Sequence, residues 1–348
     1  MLSITELIAD VKDRASVPAD DERITNALVT KLLNQCLDEY IYPTLLKISE
    51  EFNVVKTLVP LTTTAGTPAF PNSLVPLPKR AYGRVLREIK YFDNSENLYN
   101  IPYVSLEDED KFMAGSSYSA SPFGFHFVGD AVKLVGIDVA KLTGKLVLHY
   151  IIEPNTLEQA TTLYAPIYNI DYVGSEIRFW RDNTESLPEF EAYSLNGQTK
   201  LYDLYRKSSG AIIAADLPLT RDSGGLGYDY FKTTQLTVDN IQDLENFQDG
   251  GFPVSGGYES DLLLIPAGRS QFSTIPYELD NLLAQKVAGR VFEIIGDTEG
   301  LQVNDTRVRD IMMQVTSALG NRSRGESKKV VNRRSILRDM RRQYRRNW

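Results

Sequence analysis

The sequence predicts an α+β fold: a helical body formed by N- and C-terminal helices, with a β-sheet segment and an inserted all-β domain between them, and a basic C-terminal tail. Apolar residues recur at helical spacing near both ends of the chain, whereas short β-type runs and turn residues fill the middle. The last segment, Arg322–Trp348, has 11 Lys/Arg and two acids and so carries +9. Because the whole chain carries −8, residues 1–321 carry −17.

Composition limits the class of protein. With 348 residues, of which 42% are hydrophobic, the chain is long and apolar enough for two or three globular domains. It has no apolar run of about 18 residues, so we expect no membrane span, and its N-terminus lacks the apolar core of a secretion signal. Cys36 is the single cysteine, which excludes an internal disulfide, favours a reducing compartment and fits a packed thiol on an apolar helix face.

Residues 1–52 are predicted to be the first helical part. Ser3 and Glu6 have the spacing of a capping box ahead of an apolar helix face. A second helix is expected to begin near Asp20–Asp21, because carboxylates favour a helix N-terminus. Pro43 should kink or restart it. The apolar stripe of this second helix comprises Ile24, Leu28, Leu32, Cys36 and Tyr40.

Residues 53–154 are predicted to form a β-rich segment with one short helix. A strand at Val85–Phe92 should pair with Leu98–Val104 as a hairpin, and Ser105 should cap a short acidic helix. Strands at Gly124–Val128 and Val132–Val135 flank a Gly-Asp turn signal, and Lys145–Ile152 completes the sheet.

Residues 155–274 have the short β-type runs and turn residues of an inserted all-β domain. The predicted strands are Ile177–Arg181, Phe190–Ser194, Ala211–Ala215, Gln235–Val238 and Leu262–Ile265. The glycine-rich stretches Gly224–Gly227 and Gly250–Gly257 are expected to be surface loops.

Residues 275–321 are predicted to be the second helical part. A strong apolar stripe begins near Pro276 and should stop at Gly296. A last helix is expected near Asp305–Leu319. Because both helical parts must bury an apolar face, we expect them to pack on each other.

Residues with catalytic potential are sparse. The two histidines, His126 and His149, lie in predicted strands, and no nearby partners complete a triad or a metal site. Nucleotide-binding, zinc-protease and hydrolase motifs are missing from the sequence. We therefore predict no catalytic, metal or cofactor site, and we do not expect an enzyme.

The basic tail, residues 322–348, is predicted to be a docking element. Its apolar residues recur every four positions, a spacing that places them on one face of a helix, and arginines surround that face. An amphipathic basic helix at a chain end is typical of partner binding, although a solvated, disordered tail is the alternative. The predicted partner-binding residues are Arg333, Arg334, Ile336, Arg338, Met340, Arg341, Arg342, Tyr344, Arg345, Arg346 and Trp348.

The order of elements resembles the head-to-tail connector proteins of tailed bacteriophages, also called adaptor or neck ring proteins. The opening helical pair at 15–55 and the returning helices at 273–301 carry much of the resemblance. The remaining passages are the hairpin and acidic helix at 77–93 and 101–112, the strands at 124–136 and 144–157, and the basic segment at 321–337. The resemblance covers residues 1–154 and 272–337, and the middle of the chain only loosely.

The resemblance implies a structural subunit of the virion, assembled in the host cytoplasm. Such proteins form rings, usually of twelve copies, below the portal protein and above other neck or tail ring proteins. Their C-terminal segments reach the portal, and DNA passes through the ring without specific binding. An acidic body suits such a channel because like charges repel phosphate.

Two other functions remain open. The basic tail, with Tyr344 and Trp348 among its arginines, suits a nucleic-acid-binding factor. The tyrosine-rich middle segment suits a tail or baseplate protein that binds a partner or a host glycan.

Overall fold

The computed structural model describes residues 2–48, 54–62, 69–70, 72–93, 97–109, 123–136, 144–173, 176–182, 186–208, 210, 212–225, 228–233, 247–248 and 261–320. Helices and strands both form, which confirms the predicted mixture of α and β structure. The helices are α1 (Ile4–Arg14), α2 (Asn26–Cys36), α3 (Tyr42–Ile48), α4 (Pro188–Tyr193), α5 (Tyr277–Ile295) and α6 (Thr298–Gly320). The strands are β1 (Val54–Pro60), β2 (Leu74–Pro76), β3 (Ala81–Phe92), β4 (Leu98–Asn100), β5 (Gly124–Val128), β6 (Ala131–Val135), β7 (Lys145–Ile152), β8 (Thr156–Leu157), β9 (Ala165–Ile167), β10 (Asn169–Val173), β11 (Glu176–Asp182), β12 (Thr199–Arg206), β13 (Ile212–Gly225), β14 (Tyr228–Thr233), β15 (Phe247–Gln248), β16 (Leu262–Pro266) and β17 (Arg269–Ser270).

The first helix begins at the capping box that the sequence predicts. The Ser3 N–H donates to Glu6 Oε2 over 2.8 Å, and the Glu6 N–H donates to Ser3 Oγ over 3.2 Å. Two backbone donors of the first turn, which have no partner within the helix, are thereby satisfied.

The second helix begins later than the predicted start at Asp20–Asp21. The Asp21 carboxylate accepts two backbone N–H groups of the following residues, at 2.8 and 2.9 Å, and so closes a turn. Thr25 then caps the helix through its side chain. The α-helix ends at Cys36, a π-helical turn follows, and α3 begins one residue before Pro43, which agrees with the predicted restart.

The C-terminal helices meet at a sharp turn. Helix α5 ends as predicted at Gly296, whose φ of +82° lies in the left-handed region that glycine tolerates. The last helix begins at Thr298, well before the predicted start at Asp305. Asp297 accounts for the difference, because its carboxylate accepts the Gly300 N–H over 2.9 Å in the first turn.

One cluster of buried side chains contains residues from both chain ends. It includes Leu7 of α1, Leu33 of α2, Leu283 of α5 and Val308 of α6, and the predicted burial of Cys36 in this cluster is confirmed. Fully burying an aliphatic side chain stabilises a fold by about 1.5–3 kcal/mol, so this cluster is a substantial source of stability.

Two small sheets follow the first helices. Their strand orders are β1-β7-β3-β4 and β2-β6-β5, with every pair antiparallel. The predicted β3–β4 pairing and the turn at Gly129–Asp130 are confirmed, although β4 ends at Asn100 and not at Val104. The prediction that Lys145–Ile152 completes the sheet of β5 and β6 is wrong, because β7 pairs with β1 and β3.

Ser105 is followed by a 3-10 turn at Leu106–Asp108 and by the helical residue Glu109, and the rest of the predicted short helix lies outside the described residues. The predicted cap is wrong, because the Ser105 hydroxyl donates to the Asp108 carboxylate and not to a backbone group.

The middle of the chain forms an eight-stranded sheet in the order β15-β10-β11-β14-β13-β12-β16-β9. Only Tyr168 separates β9 from β10, so one nearly continuous strand pairs with β16 through its first half and with β11 through its second. The Tyr168 N–H extends the second pairing by donating to the Trp180 carbonyl over 2.8 Å. The sheet therefore curls into a near-closed barrel.

The prediction of an all-β middle segment is wrong at one point. Residues predicted as the strand Phe190–Ser194 lie instead in and just after the short helix α4. Pro188 occupies the first helical turn, where a missing N–H costs nothing. The Phe190 ring is fully buried, with its centroid 5.8 Å from that of Tyr202 and 5.6 Å from that of Phe231. Packing inside the barrel therefore overrides the weak local signal.

The first glycine-rich stretch is also not wholly a loop. Gly224 belongs to β13, where a Cβ atom would lie 2.3 Å from Cζ3 of Trp180. This glycine is needed because the indole ring lies directly on the backbone. The predicted strand Gln235–Val238 and the loop Gly250–Gly257 lie outside the described residues.

Hydrogen bonds tie the N-terminal helices to β8 and to the segment between β17 and α5. The Ile4 N–H donates to the Gln271 carbonyl over 2.8 Å, and Ser3 forms an isolated bridge with Phe272. In α2, the side-chain amide of Asn34 pairs with the backbone of Leu157 in β8, at 2.8 and 3.0 Å. These elements on either side of the barrel strands in sequence are thus held to the N-terminal helices by hydrogen bonds.

Candidate functional site

The predicted partner-binding residues, from Arg333 to Trp348, all lie outside the described residues, which end at Gly320. The docking helix therefore stays a prediction. Helix α6 leads directly to this segment and buries only a narrow stripe that includes Asn304, Val308 and Val315.

A buried polar cluster lies where the barrel meets the small sheets. We call Arg80, Asn155, Asp203 and Asp216 the junction cluster. One Arg80 nitrogen, Nη1, donates to both carboxylate oxygens of Asp203 at 2.8 and 2.9 Å and to Asp216 Oδ1 at 3.0 Å. The other, Nη2, donates to the side-chain oxygen of Asn155. Asn155 Nδ2 in turn donates to Asp203 Oδ2 over 3.1 Å and to the Tyr205 hydroxyl over 3.2 Å.

A bulge in β13 brings Asp216 to this cluster. Tyr202 pairs with Leu217 and Leu204 pairs with Ala214, so two residues of β13 oppose one residue of β12. Asp216 adopts a φ of +51°, a left-handed conformation that aspartate tolerates better than most residues. Bulges of this kind redirect side chains. Here the Asp216 N–H donates to Asp203 Oδ1 over 3.0 Å while its carboxylate contacts Arg80.

The side chains of the junction cluster are largely buried and are hydrogen-bonded to one another. The Asp203 side chain is 0% exposed and that of Arg80 only 15%. Burial alone lowers the pKa of Arg80, but the Asp203 and Asp216 carboxylates outweigh burial and hold that pKa above its ordinary value, so Arg80 stays charged. Removing one partner of such a cluster leaves an uncompensated buried charge. The cluster therefore fixes the barrel against the β7–β8 connection and the start of β3.

The remaining titratable groups that the structure describes include both histidines and the single cysteine. His126 is buried on β5, with Nε2 3.7 Å from Glu109 Oε2, and burial lowers the pKa of His149 on β7. Burial also raises the pKa of the Cys36 thiol, which disfavours the reactive thiolate. Within the described ranges, no group of three or more His, Cys, Asp or Glu side chains is placed to hold a metal ion.

An exposed apolar surface lies on β5 and the segment before the 3-10 turn. We call Tyr103, Leu106 and Phe127 the aromatic patch; the largely buried Phe125 contacts both of its rings. Tyr103 is 62% exposed, Leu106 69% and Phe127 40%. The ring centroids of Tyr103 and Phe125 are 5.8 Å apart, those of Phe125 and Phe127 5.7 Å, and those of Tyr103 and Phe127 6.3 Å. These rings hold one another in place on a solvent-facing surface.

Acidic side chains border the aromatic patch. Glu107 and Asp108 are exposed on the 3-10 turn, and the Asp108 carboxylate accepts the Ser105 hydroxyl over 2.8 Å. Glu109 follows and pairs with Lys133 over 2.7 Å. The patch therefore combines exposed rings with a negative edge, a combination typical of a protein-binding surface.

Sequence reasoning missed both the junction cluster and the aromatic patch. Arg80 contacts residues that lie 75 to 136 positions further along the chain, and no local pattern marks such a distance. The patch had a usable signal: Tyr103, Phe125 and Phe127 stand close in sequence to an acidic run. By itself, that run indicates only the first turn of a short acidic helix.

Comparisons with known proteins give no further identification. No protein-family model matches the chain, and no curated protein matches it significantly. Among the helices of the described residues, none is long and apolar enough to cross a membrane.

Proposed function

We propose that the chain is a structural subunit of a phage virion neck, which forms a ring that joins the portal protein to the tail. The observation that carries the proposal is the path of the chain. Helices from both ends contribute to one buried cluster, the β elements lie between them in sequence, and a basic segment follows the last helix. This is the arrangement that the resemblance to connector proteins implies.

The charge distribution supports association with neighbours. A segment carrying +9 is attracted to acidic surfaces, and each copy brings its own body of −17. Ile336, Met340, Tyr344 and Trp348 provide apolar anchors, and tyrosine and tryptophan are frequent hot spots in interfaces. The proposed partners are the portal protein, further ring proteins of the neck or tail, and other copies of this chain.

The proposed role needs no catalysis and no cofactor. DNA would pass through the ring without specific contacts, because an acidic lumen repels phosphate. The buried junction cluster suits a structural role, since its ion pairs and hydrogen bonds join two barrel strands to the start of β3 and to the β7–β8 connection.

Electron microscopy of the purified protein, alone and with portal protein, tests the proposal. Rings or collars on the portal are expected, and a protein that stays monomeric and never associates with any portal overturns it. Deleting Arg333–Trp348 should leave the body folded and abolish portal attachment. Unchanged attachment refutes the docking role of the segment.

A paired substitution separates apolar anchoring from charge. The double variant Tyr344→Ala, Trp348→Ala should weaken portal attachment at every salt concentration. The matched double variant Arg345→Gln, Arg346→Gln should mainly reduce the dependence of portal attachment on salt concentration. DNA affinity that falls steeply with salt, together with no ring, would favour the nucleic-acid-binding alternative.

A further inference from the structure

We propose that the aromatic patch of one copy holds the basic C-terminal segment, residues 322–348, of a second copy before that segment engages the portal. The inference rests on the proposed function, because it requires that copies of the chain associate. It adds a binding site for the segment on the body of the protein.

The exposed apolar surface of the aromatic patch indicates a binding partner. Tyr103, Leu106 and Phe127 are 62%, 69% and 40% exposed, and the ring centroids of Tyr103 and Phe127 lie 6.3 Å apart. Contiguous exposed apolar surface of this kind marks interaction sites, whereas single exposed apolar residues do not. The ring contacts with Phe125 also fix the surface in advance, which lowers the entropy cost of binding.

The chemistry of the patch fits a basic segment with aromatic and aliphatic anchors. Glu107 and Asp108 place negative charge at its edge, and arginine also binds the faces of exposed aromatic rings. The fold already contains such a contact, with the Arg178 guanidinium 5.0 Å from the centroid of the Tyr230 ring.

The C-terminal segment has the matching properties. It carries +9 on a body of −17, and its four apolar residues Ile336, Met340, Tyr344 and Trp348 recur at intervals of four. A helical segment would place those anchors on one face and its arginines around them. Binding to a second copy follows from the ring, in which each copy offers one patch and one segment to its neighbours.

Disulfide trapping between two full-length variants tests the contact in trans. One variant carries Glu107→Cys beside the patch and the other carries Asn347→Cys beside Trp348, so all apolar anchors remain. A cross-linked dimer of the two variants is expected when they are mixed under mild oxidation. The native Cys36 is buried, and the unmodified protein measures any background link.

Leu195→Cys provides the matched control, because Leu195 is an exposed apolar residue on the barrel. The disulfide from position 107 should form roughly tenfold faster than the disulfide from position 195. Its rate of formation should fall near 1 M salt, where the screening length for charge attraction is only about 3 Å. Adding the substitutions Tyr103→Ser and Phe127→Ser to the Glu107→Cys variant should suppress formation of this disulfide. Adding portal protein should also suppress it.

Equal rates at positions 107 and 195, or no link at all, overturn the inference. If rings still form on the portal in that case, the proposed function stands and only the patch contact fails. If neither rings nor links form, both fail.

Discussion

The buried carboxyl of Asp280 in the first turn of α5 should make stability depend on pH. Asp280 is 2% exposed, its Oδ1 accepts the Ser273 hydroxyl, and within the described structure its Oδ2 has no hydrogen-bond partner. Burial raises the pKa of Asp280 from 3.8 to about 7, although the hydrogen bond from the Ser273 hydroxyl acts in the opposite direction. The nearby Glu278 carboxylate adds to the rise.

The magnitude follows from the two pKa values. Because the folded pKa is raised, the stabilisation from neutral Asp280 is fully present below 3.8 and is lost as the pH rises through about 7. At about 1.4 kcal/mol per unit, the shift corresponds to about 4 kcal/mol of destabilisation at pH 8. Asp280→Asn removes this dependence, although its extra buried N–H donors cost about 1–3 kcal/mol at every pH.

The assay compares the free energy of unfolding of the wild type and of Asp280→Asn between about pH 4 and pH 8. Helical circular dichroism during urea unfolding reports the transition of the helical region. The difference between the two proteins should move by about 4 kcal/mol in favour of the variant as the pH rises. Glu278→Gln serves as the control in the same turn. A difference that stays constant with pH refutes the reasoning.

Three further predictions concern stability. Arg80→Met should lower the free energy of unfolding by about 3–5 kcal/mol in chemical denaturation, because it leaves the buried Asp203 unpaired. Adding Asp203→Leu should recover part of the lost stability. If the losses of the two single variants simply add in the double variant, the pairing is contradicted. Gly224→Ala should cost about 1–3 kcal/mol and change the fluorescence of Trp180, since the new methyl group displaces the indole; an unchanged spectrum and melting temperature would contradict this. Ser3→Ala should cost about 1 kcal/mol in thermal unfolding by removing the cap of α1, while Ser3→Asp should retain most of the stability.

Local signals predicted many elements well, because caps and turns depend on neighbours in sequence. The Ser3 capping box, the stop at Gly296 and the hairpin turn at Gly129–Asp130 all formed as predicted. The predicted starts of helices were less accurate where an aspartate could either close a turn or begin a helix. Asp21 closes a turn ahead of α2, and Asp297 begins α6 earlier than the apolar stripe suggests.

The sequence by itself determined the mixture of helices and strands and the charge reversal at Arg322–Trp348, because these depend on composition and short-range spacing. Only the tertiary structure decided that β9 and β10 close the barrel, that Phe190 enters its interior on a helix, and that Arg80 meets Asp203. Those outcomes depend on contacts between residues far apart in sequence. Their free energy comes from burial and pairing that exist only after the chain has folded.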